Sequence, residues 1–137
     1  MEASQYIYLE LDDALELHRQ VMLRTGDAPQ PLRAAGILES ALNRPRMAAF
    51  YEGVDLIRQA TLLAVGVAEA QAFLEGNKRT AYAVLDVFLR INGFALGGDP
   101  LEIAKQLEML GARCDSLDAA TGRFETWLRG RVVPSDV

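Results

Sequence analysis

Residues 54–72, with the sequence VDLIRQATLLAVGVAEAQA, decide the fold, because this stretch is apolar on nearly every side. An α-helix that is hydrophobic all round is normally buried inside a protein. We therefore predict a central buried helix here. The longest apolar run, residues 62–68, is far too short to cross a bilayer, which takes about 20 apolar residues.

Helical patterns surround this central segment. The next helix is predicted from Asn77 or Lys78 to the Asn92-Gly93 pair, with apolar residues at helical spacing at Ala81, Val84, Leu85, Phe88 and Leu89. Two further helices are predicted before the central one, the first from near Asp12 to Thr25-Gly26 and the second from Pro31 to just before Pro45. Two more are predicted near the C-terminus, one that starts at Pro100 with Asp99 as its cap and one over residues 118–129. Residues 44–53 break the pattern, so we expect a short hairpin or flap there. The sequence thus predicts an all-α bundle of about six helices in a single domain, residues 1–137.

Composition limits the possible functions. The 137 residues carry a formal net charge of −5, which argues against direct, sequence-independent binding of nucleic acid. One cysteine, Cys114, excludes an internal disulfide and a multi-thiolate metal site, and one histidine, His18, excludes a histidine metal cluster. Residues 1–5 lack the basic and apolar regions of a signal peptide, so we predict a cytoplasmic protein that does not enter a membrane. We interpret His18, on the apolar face of the first helix, as a core-edge residue with one nitrogen satisfied.

The joint between the two most apolar helices is unusually polar. Asn77 is well suited to cap the following helix, whose first backbone N–H groups would be free to bind an anion. Gly76 lets a bulky group approach the backbone, and Lys78 and Arg79 supply positive charge for phosphate. Glu75 is a candidate magnesium ligand. A capped helix with a solvated basic first turn explains the same residues equally well from spacing alone.

Two common nucleotide motifs are absent from the sequence. No Gly-x-x-x-x-Gly-Lys-Ser/Thr loop occurs, and Thr80 follows Arg79 rather than a lysine. No dinucleotide-binding glycine fingerprint precedes the helix either. Any phosphate site at this joint is therefore of another kind.

Residues 73–81, Phe-Leu-Glu-Gly-Asn-Lys-Arg-Thr-Ala, resemble the signature of the Fic/Doc family, His-x-Phe-x-Asp/Glu-Gly/Ala-Asn-Gly/Lys-Arg. Residues 36–45, GILESALNRP, resemble a Leu-Glu-Ser-Ala-Leu-x-Arg-Pro stretch of Doc proteins, and residues 88–93 resemble the end of the family's motif helix. The likeness extends from Tyr8 to Arg131. It is strongest to the Doc, or death-on-curing, branch of toxins and implies a Fic/Doc-like helical bundle.

The resemblance also implies roles for particular residues. Glu75 would bind Mg²⁺, the anion hole would consist of Gly76, Asn77 and Lys78, and Arg79 would hold a phosphate of ATP. Doc members carry lysine at the position of Lys78 and resemble kinases, whereas Fic members carry glycine there and typically transfer AMP. Tyr82 stands where Fic members often have a second arginine, which again favours the Doc branch.

The partners implied by this branch are proteins. A Doc-type toxin would transfer the terminal phosphate of ATP to a hydroxyl of a target in translation, such as elongation factor Tu, and a Phd-type antitoxin would hold it inactive. Residues 44–53 would correspond to the region that aligns the target peptide.

One position departs from the family pattern. Gln71 stands where the family has its catalytic histidine, the general base that accepts the proton of the attacking hydroxyl. A glutamine amide does not titrate near neutral pH, and losing a general base typically costs about 10²–10⁴ in rate. Two origins stay open: an engineered inactivation, or a natural degenerate member that acts by binding. Transfer of AMP instead of phosphate is a further alternative.

Overall fold

The computed structural model describes residues 6–135, which form six helices and two short strands. An all-α bundle of six helices is therefore confirmed. The residues on which the signal-peptide expectation rests, 1–5, lie outside this range. In chain order the elements are α1 (Leu11–Arg24), α2 (Ala35–Glu52), α3 (Leu56–Ala70), α4 (Asn77–Ile91), β1 (Phe94–Leu96), α5 (Pro100–Gly111), α6 (Leu117–Arg129) and β2 (Val132–Pro134).

Helix α3 is the centre of the core, as its composition predicts. Ten of its 15 residues are buried, and α2, α4 and α6 pack around it. Gly66 allows α2 to come close, since a Cβ at this position would lie only 3.2 Å from the Cβ of Ala41. Within residues 6–135, the helices fall short of the length and apolar character that a membrane span requires.

Helix α2 differs from the sequence-based expectation at both ends. It begins at Ala35 rather than at Pro31, because Leu32 forms an antiparallel bridge with Phe73 and holds the preceding segment extended. It then continues through Pro45 to Glu52, so the hairpin or flap expected around residues 44–53 is not found there. Pro45 lacks an N–H for the helix, but it is itself buried and the next turn packs Ala48 onto the core. Core packing thus overrides the helix-breaking tendency of the proline.

The strands form a small antiparallel sheet that the sequence does not reveal. Phe94 pairs with Pro134, and Leu96 pairs with Val132. Each strand is only three residues long, which is too short for an alternating pattern to be recognised. The pairing brings the chain after α6 back to the end of α4 and so fixes where α5 and α6 lie.

Candidate functional site

Gln71 ends the central helix α3. Its backbone is left-handed (φ 52°, ψ 38°), and no other non-glycine residue in the described part of the chain has a positive φ. Its carbonyl oxygen accepts a hydrogen bond from Nη2 of Arg33 at 2.9 Å. The side chain is exposed, and its Nε2 lies 3.5 Å from the carbonyl oxygen of Ala68, which is a long contact. The chain is therefore held firmly at Gln71 while its amide remains available to a ligand.

Asn77 closes the loop that follows rather than capping α4 through its side chain. Its Oδ1 accepts from the backbone N–H of Phe73 at 3.0 Å, and its Nδ2 donates to the Phe73 carbonyl oxygen at 2.9 Å. The N-cap is Gly76, in the left-handed conformation at φ 83°. The expectation that Asn77 caps the helix is therefore wrong: the cap lies one residue earlier, at Gly76, and Asn77 is the first residue of the helix. The reason is that its short amide reaches back to Phe73 from the first helical position.

The start of α4 presents unpaired backbone donors. The first hydrogen bond of the helix runs from the Thr80 N–H to the Gly76 carbonyl oxygen, at 2.9 Å. Among residues 6–135 no acceptor is found for the backbone N–H groups of Asn77, Lys78 and Arg79. Such donors, together with the positive end of the helix dipole, form a site suited to an anion.

The two cations of the motif point to opposite sides of the helix start. Lys78 lies against Gly111 and pairs with Glu108 at 3.7 Å. Arg79 turns toward the loop after α1, where its Nη1 donates to Asp27 at 2.7 Å and to Thr25 Oγ1 at 2.6 Å. The structure therefore does not bring both cations into one basic pocket. Arg79 has five N–H donors, so it keeps donors for a phosphate after making these two bonds.

An open cleft of about 550 Å³ lies beside the start of α4. It is lined by the end of α3, by Lys78 and by the end of α5 with the loop after it: Ala68, Glu69, Gln71, Lys78, Leu107, Gly111, Arg113, Cys114 and Asp115. Its size lies in the range of small-molecule sites. The sequence singled out Gln71 and Lys78 but missed Arg113, which pairs with Glu69 at 3.1 Å and adds a second cation. No local motif marks Arg113; only the packing of α5 brings it here.

Glu75 stands at the exposed edge of the loop. Within residues 6–135 no hydrogen bond or ion pair engages its carboxylate. A free carboxylate next to an anion site fits the needs of Mg²⁺, which takes one or two protein carboxylates together with water and phosphate oxygens. Glu75 therefore suits the role that the family resemblance implies.

His18 lies under the loop, with only 2% of its surface exposed. Both ring nitrogens are paired, Nδ1 with Thr80 Oγ1 at 2.8 Å and Nε2 with the backbone N–H of Gln30 at 3.0 Å. Burial lowers the pKa of His18, and the positive charge of Arg79 lowers it further. The sequence predicts one satisfied nitrogen, but Thr80 is 62 residues away in the chain and could not be recognised as a partner.

The segment next to Gln71 is not the one expected to align a target. Helices α2 and α3 are joined by residues 53–55, so residues 44–53 lie along the first half of α3. Because α3 rises about 1.5 Å per residue, its far end, with Gln71, is up to about 20 Å away. Residues 31–34 lie beside Gln71 instead, through the Leu32–Phe73 bridge. The geometric reason is the continuation of α2 through Pro45, which leaves no projecting hairpin.

Comparisons with known proteins identify the family of this chain. The sequence profile of the Fic/DOC family matches residues 8–89, more than half of the chain, and this range includes the whole loop from Gln71 to Thr80. The protein is also similar to Toxin Doc of Mycolicibacterium smegmatis, with 39% identity over 72 residues that cover 50% of this chain and 54% of the relative. It thus spans about half the length of that relative. With a family profile matched across α1 to α3 and most of α4, the chain belongs to the Fic/DOC family.

Proposed function

We propose that this protein is a Doc-type toxin of a toxin–antitoxin pair, which transfers the terminal phosphate of ATP to a hydroxyl of a protein target in translation. We further propose that catalysis is impaired in this chain by Gln71. Two observations carry the proposal. The backbone N–H groups of residues 77–79 have no acceptor among residues 6–135, and a cleft of about 550 Å³ beside them is lined by Lys78 and Gln71.

The loop is suited to bind phosphate at small cost. The ion pair between Lys78 and Glu108 is long, and the two side chains are 44% and 67% exposed, so exchanging Glu108 for a phosphate oxygen loses little free energy. Arg79 stays anchored to Asp27 through Nη1, on the side of the helix start opposite Lys78, and would offer its remaining donors to the phosphate from there. Backbone N–H groups complete the set and need no rearrangement.

In the proposed transfer, Glu75 and Gln71 would have different roles. Magnesium held by Glu75 would neutralise phosphate charge when bound. The target hydroxyl oxygen bonds to the terminal phosphorus, the bond to the β-phosphate oxygen breaks, and ADP leaves. The hydroxyl proton must also be removed, and Gln71 cannot accept it near neutral pH. Gln71 can still orient the hydroxyl through its exposed amide, so binding is expected to survive better than transfer.

The similarity to Toxin Doc supports an antitoxin as a partner. We propose an antitoxin of the Phd type as the inhibitor and a target of the elongation factor Tu kind. A cytoplasmic location is part of the same proposal. A non-catalytic protein that acts by binding is the second candidate, and the glutamine at position 71 is the specific observation in its favour.

Nucleotide labelling tests the enzymatic function. The chain as written, Gln71→His and Gln71→Asn are incubated with a bacterial extract and ATP labelled at either the α- or the γ-phosphate. Gln71→Asn is the matched control, because asparagine tolerates the left-handed backbone of position 71 but cannot act as a base. We expect Gln71→His to transfer the γ-label to a protein and Gln71→Asn to transfer none.

The alternatives give other results. Transfer of the α-label would indicate AMP transfer. If Gln71→His labels no protein and its expression leaves growth normal, the enzymatic function is wrong. The binding function would be favoured if expression of the chain as written arrests growth and the Arg79→Ala substitution does not relieve that arrest.

A further inference from the structure

His18 packs against the buried side of the loop of residues 73–80. Its ring stacks on Phe73, with centroids 3.7 Å apart and planes 2° from parallel. Its Cε1 lies close to Gly76, 3.3 Å from the place where a side chain would begin. Its Nδ1 reaches Thr80, in the first turn of α4. The imidazole therefore contacts the loop at both ends and in the middle.

The hydrogen bonds of His18 admit one arrangement of protons. The backbone N–H of Gln30 donates to Nε2, so Nε2 carries no proton. Nδ1 then carries the proton and donates to Thr80 Oγ1, whose hydroxyl donates to the Gly76 carbonyl oxygen at 2.7 Å. A directed chain of donors thus runs from the imidazole to the Gly76 carbonyl.

The orientation of the Gly76 carbonyl determines the direction of the Asn77 N–H, one of the groups proposed to bind phosphate. The Gly76 C=O and the Asn77 N–H belong to one planar trans peptide and point in opposite directions. The carbonyl is held toward the helix by both the N–H and the hydroxyl of Thr80. The Asn77 N–H is consequently held outward, away from the helix.

We propose that His18 is a positioning residue for the phosphate-binding loop: through Thr80 it fixes the Gly76–Asn77 peptide so that the N–H groups at the start of α4 face a bound phosphate. This inference rests on the proposed nucleotide site. His18 also joins the two sides of that site, because its partner Gln30 belongs to the segment that bridges Phe73 through Leu32. It touches no substrate itself.

Affinity for MgATP tests the proposal in the chain as written. Thr80→Val removes the hydroxyl with little change of shape, and Thr80→Ser keeps the hydroxyl as the matched control. Calorimetric titration is performed at a temperature where circular dichroism shows every variant folded. We expect Thr80→Val to weaken MgATP binding about tenfold, the scale of one buried hydrogen bond, and Thr80→Ser to stay within about threefold.

Variants of His18 provide a second measurement of the affinity for MgATP. His18→Asn keeps a donor near the position of Nδ1, whereas His18→Phe keeps only a ring to stack on Phe73, so we expect His18→Phe to bind MgATP more weakly than His18→Asn. A purely structural role would lower the melting temperature but leave the affinity of the folded protein unchanged. Equal affinities for Thr80→Val and Thr80→Ser would therefore overturn the proposal.

Amide NMR without nucleotide separates this inference from the proposed function. We expect the backbone N–H signals of Asn77 and Lys78 to shift in His18→Phe and to remain in place in Thr80→Ser. If the chain as written binds no MgATP, the proposed function fails, while these signals still decide whether His18 positions the loop. Unchanged signals in His18→Phe would refute the positioning role.

Discussion

Gly76 occupies a position that only glycine fits. Its φ of 83° is strained for any residue with a side chain, and a Cβ would overlap the sulfur of Met22. Gly26 offers a matched comparison, since its φ of 87° is similar but nothing lies within 4 Å of an added Cβ. Of these two glycines, Gly76 alone combines backbone strain with a steric clash.

We predict that Gly76→Ala destabilises the protein more than Gly26→Ala does. Backbone strain alone costs about 1–2 kcal/mol, and overpacking typically adds about 1–3 kcal/mol. Urea unfolding of both variants measures the difference. Equal losses of unfolding free energy would show that Met22 moves aside without cost.

The lone histidine gives a pH dependence whose sign follows from its lowered pKa. Above the unfolded-state pKa, near 6.5, His18 is neutral in both states and its contribution to stability is complete. As the pH falls below that value, the unfolded chain binds a proton that the folded protein resists, because the imidazole is buried and Arg79 adds positive charge. The Gln30 N–H also occupies Nε2, the nitrogen that would accept the proton. The free energy of unfolding should therefore decrease as the pH is lowered from about 6.5 toward the pKa of His18 in the folded state.

We predict a loss of at most about 1.4 kcal/mol per pH unit from this group, the limit for one proton. Urea unfolding at several pH values between 7.5 and 5 measures it, with His18→Asn as the control that lacks the titrating group. NMR titration of His18 is unambiguous, because the chain has one histidine. The prediction fails if the chain as written and His18→Asn show the same pH dependence.

Helix ends, more than helix interiors, determine the site. The core face of α4 and the Asp99 cap of α5 could be predicted from sequence, because both depend on local spacing. The loop geometry could not, since Asn77 turns back to Phe73 and Arg79 turns away to Asp27. Asp27 is 52 residues from Arg79 in the chain, and Asn77 bonds to Phe73 from within the loop instead of capping α4, so the motif alone does not specify either choice.

The opposite end of α3 carries a separate cap and ion-pair network. Asp55 accepts a hydrogen bond from the Arg58 N–H at 2.9 Å and pairs with two nitrogens of Arg129 on α6, at 2.8 and 3.0 Å. These contacts, chiefly the hydrogen bond from Arg129, lower the pKa of Asp55. They fasten α6 to the start of the central helix.

We predict that Asp55→Ala lowers the free energy of unfolding by about 1–2 kcal/mol, because it removes both the helix cap and the ion pair. Asp55→Asn keeps the cap and should lose no more than about 1 kcal/mol, since the pair is partly exposed. Thermal and urea unfolding of both variants provide the measurement. If Asp55→Asn loses as much unfolding free energy as Asp55→Ala, the ion pair and not the helix cap accounts for the effect.

Across the whole molecule, the cleft is assembled from both halves of the chain. Gln71 and Lys78 come from the range matched by the family profile, residues 8–89, whereas Arg113 and Gly111 lie beyond it. The short sheet returns the chain to the end of α4, and the end of α5 lies against the start of that helix, where Gly111 and Glu108 approach Lys78. The loop could be predicted from the sequence because a motif marks it, but the opposite wall of the cleft is defined only by packing.

We predict that MgATP raises the melting temperature of the chain as written. A ligand present at a hundred times its Kd stabilises the folded state by about 2.7 kcal/mol. Lys78→Met should reduce this shift, because it removes the cation at the cleft. Arg90→Met is the control, since Arg90 is an exposed cation in the last turn of the same helix, paired with Asp86. Equal shifts in both variants would place the nucleotide elsewhere.

The central claim is that this site binds nucleotide better than it reacts, because Gln71 replaces a general base. The most direct test is the single-turnover rate of phosphate transfer from saturating MgATP to the modified target, for Gln71→His and for the chain as written. We expect Gln71→His to be faster by about 10²–10⁴, with similar affinities for MgATP. Equal transfer rates in the two proteins would contradict the claim.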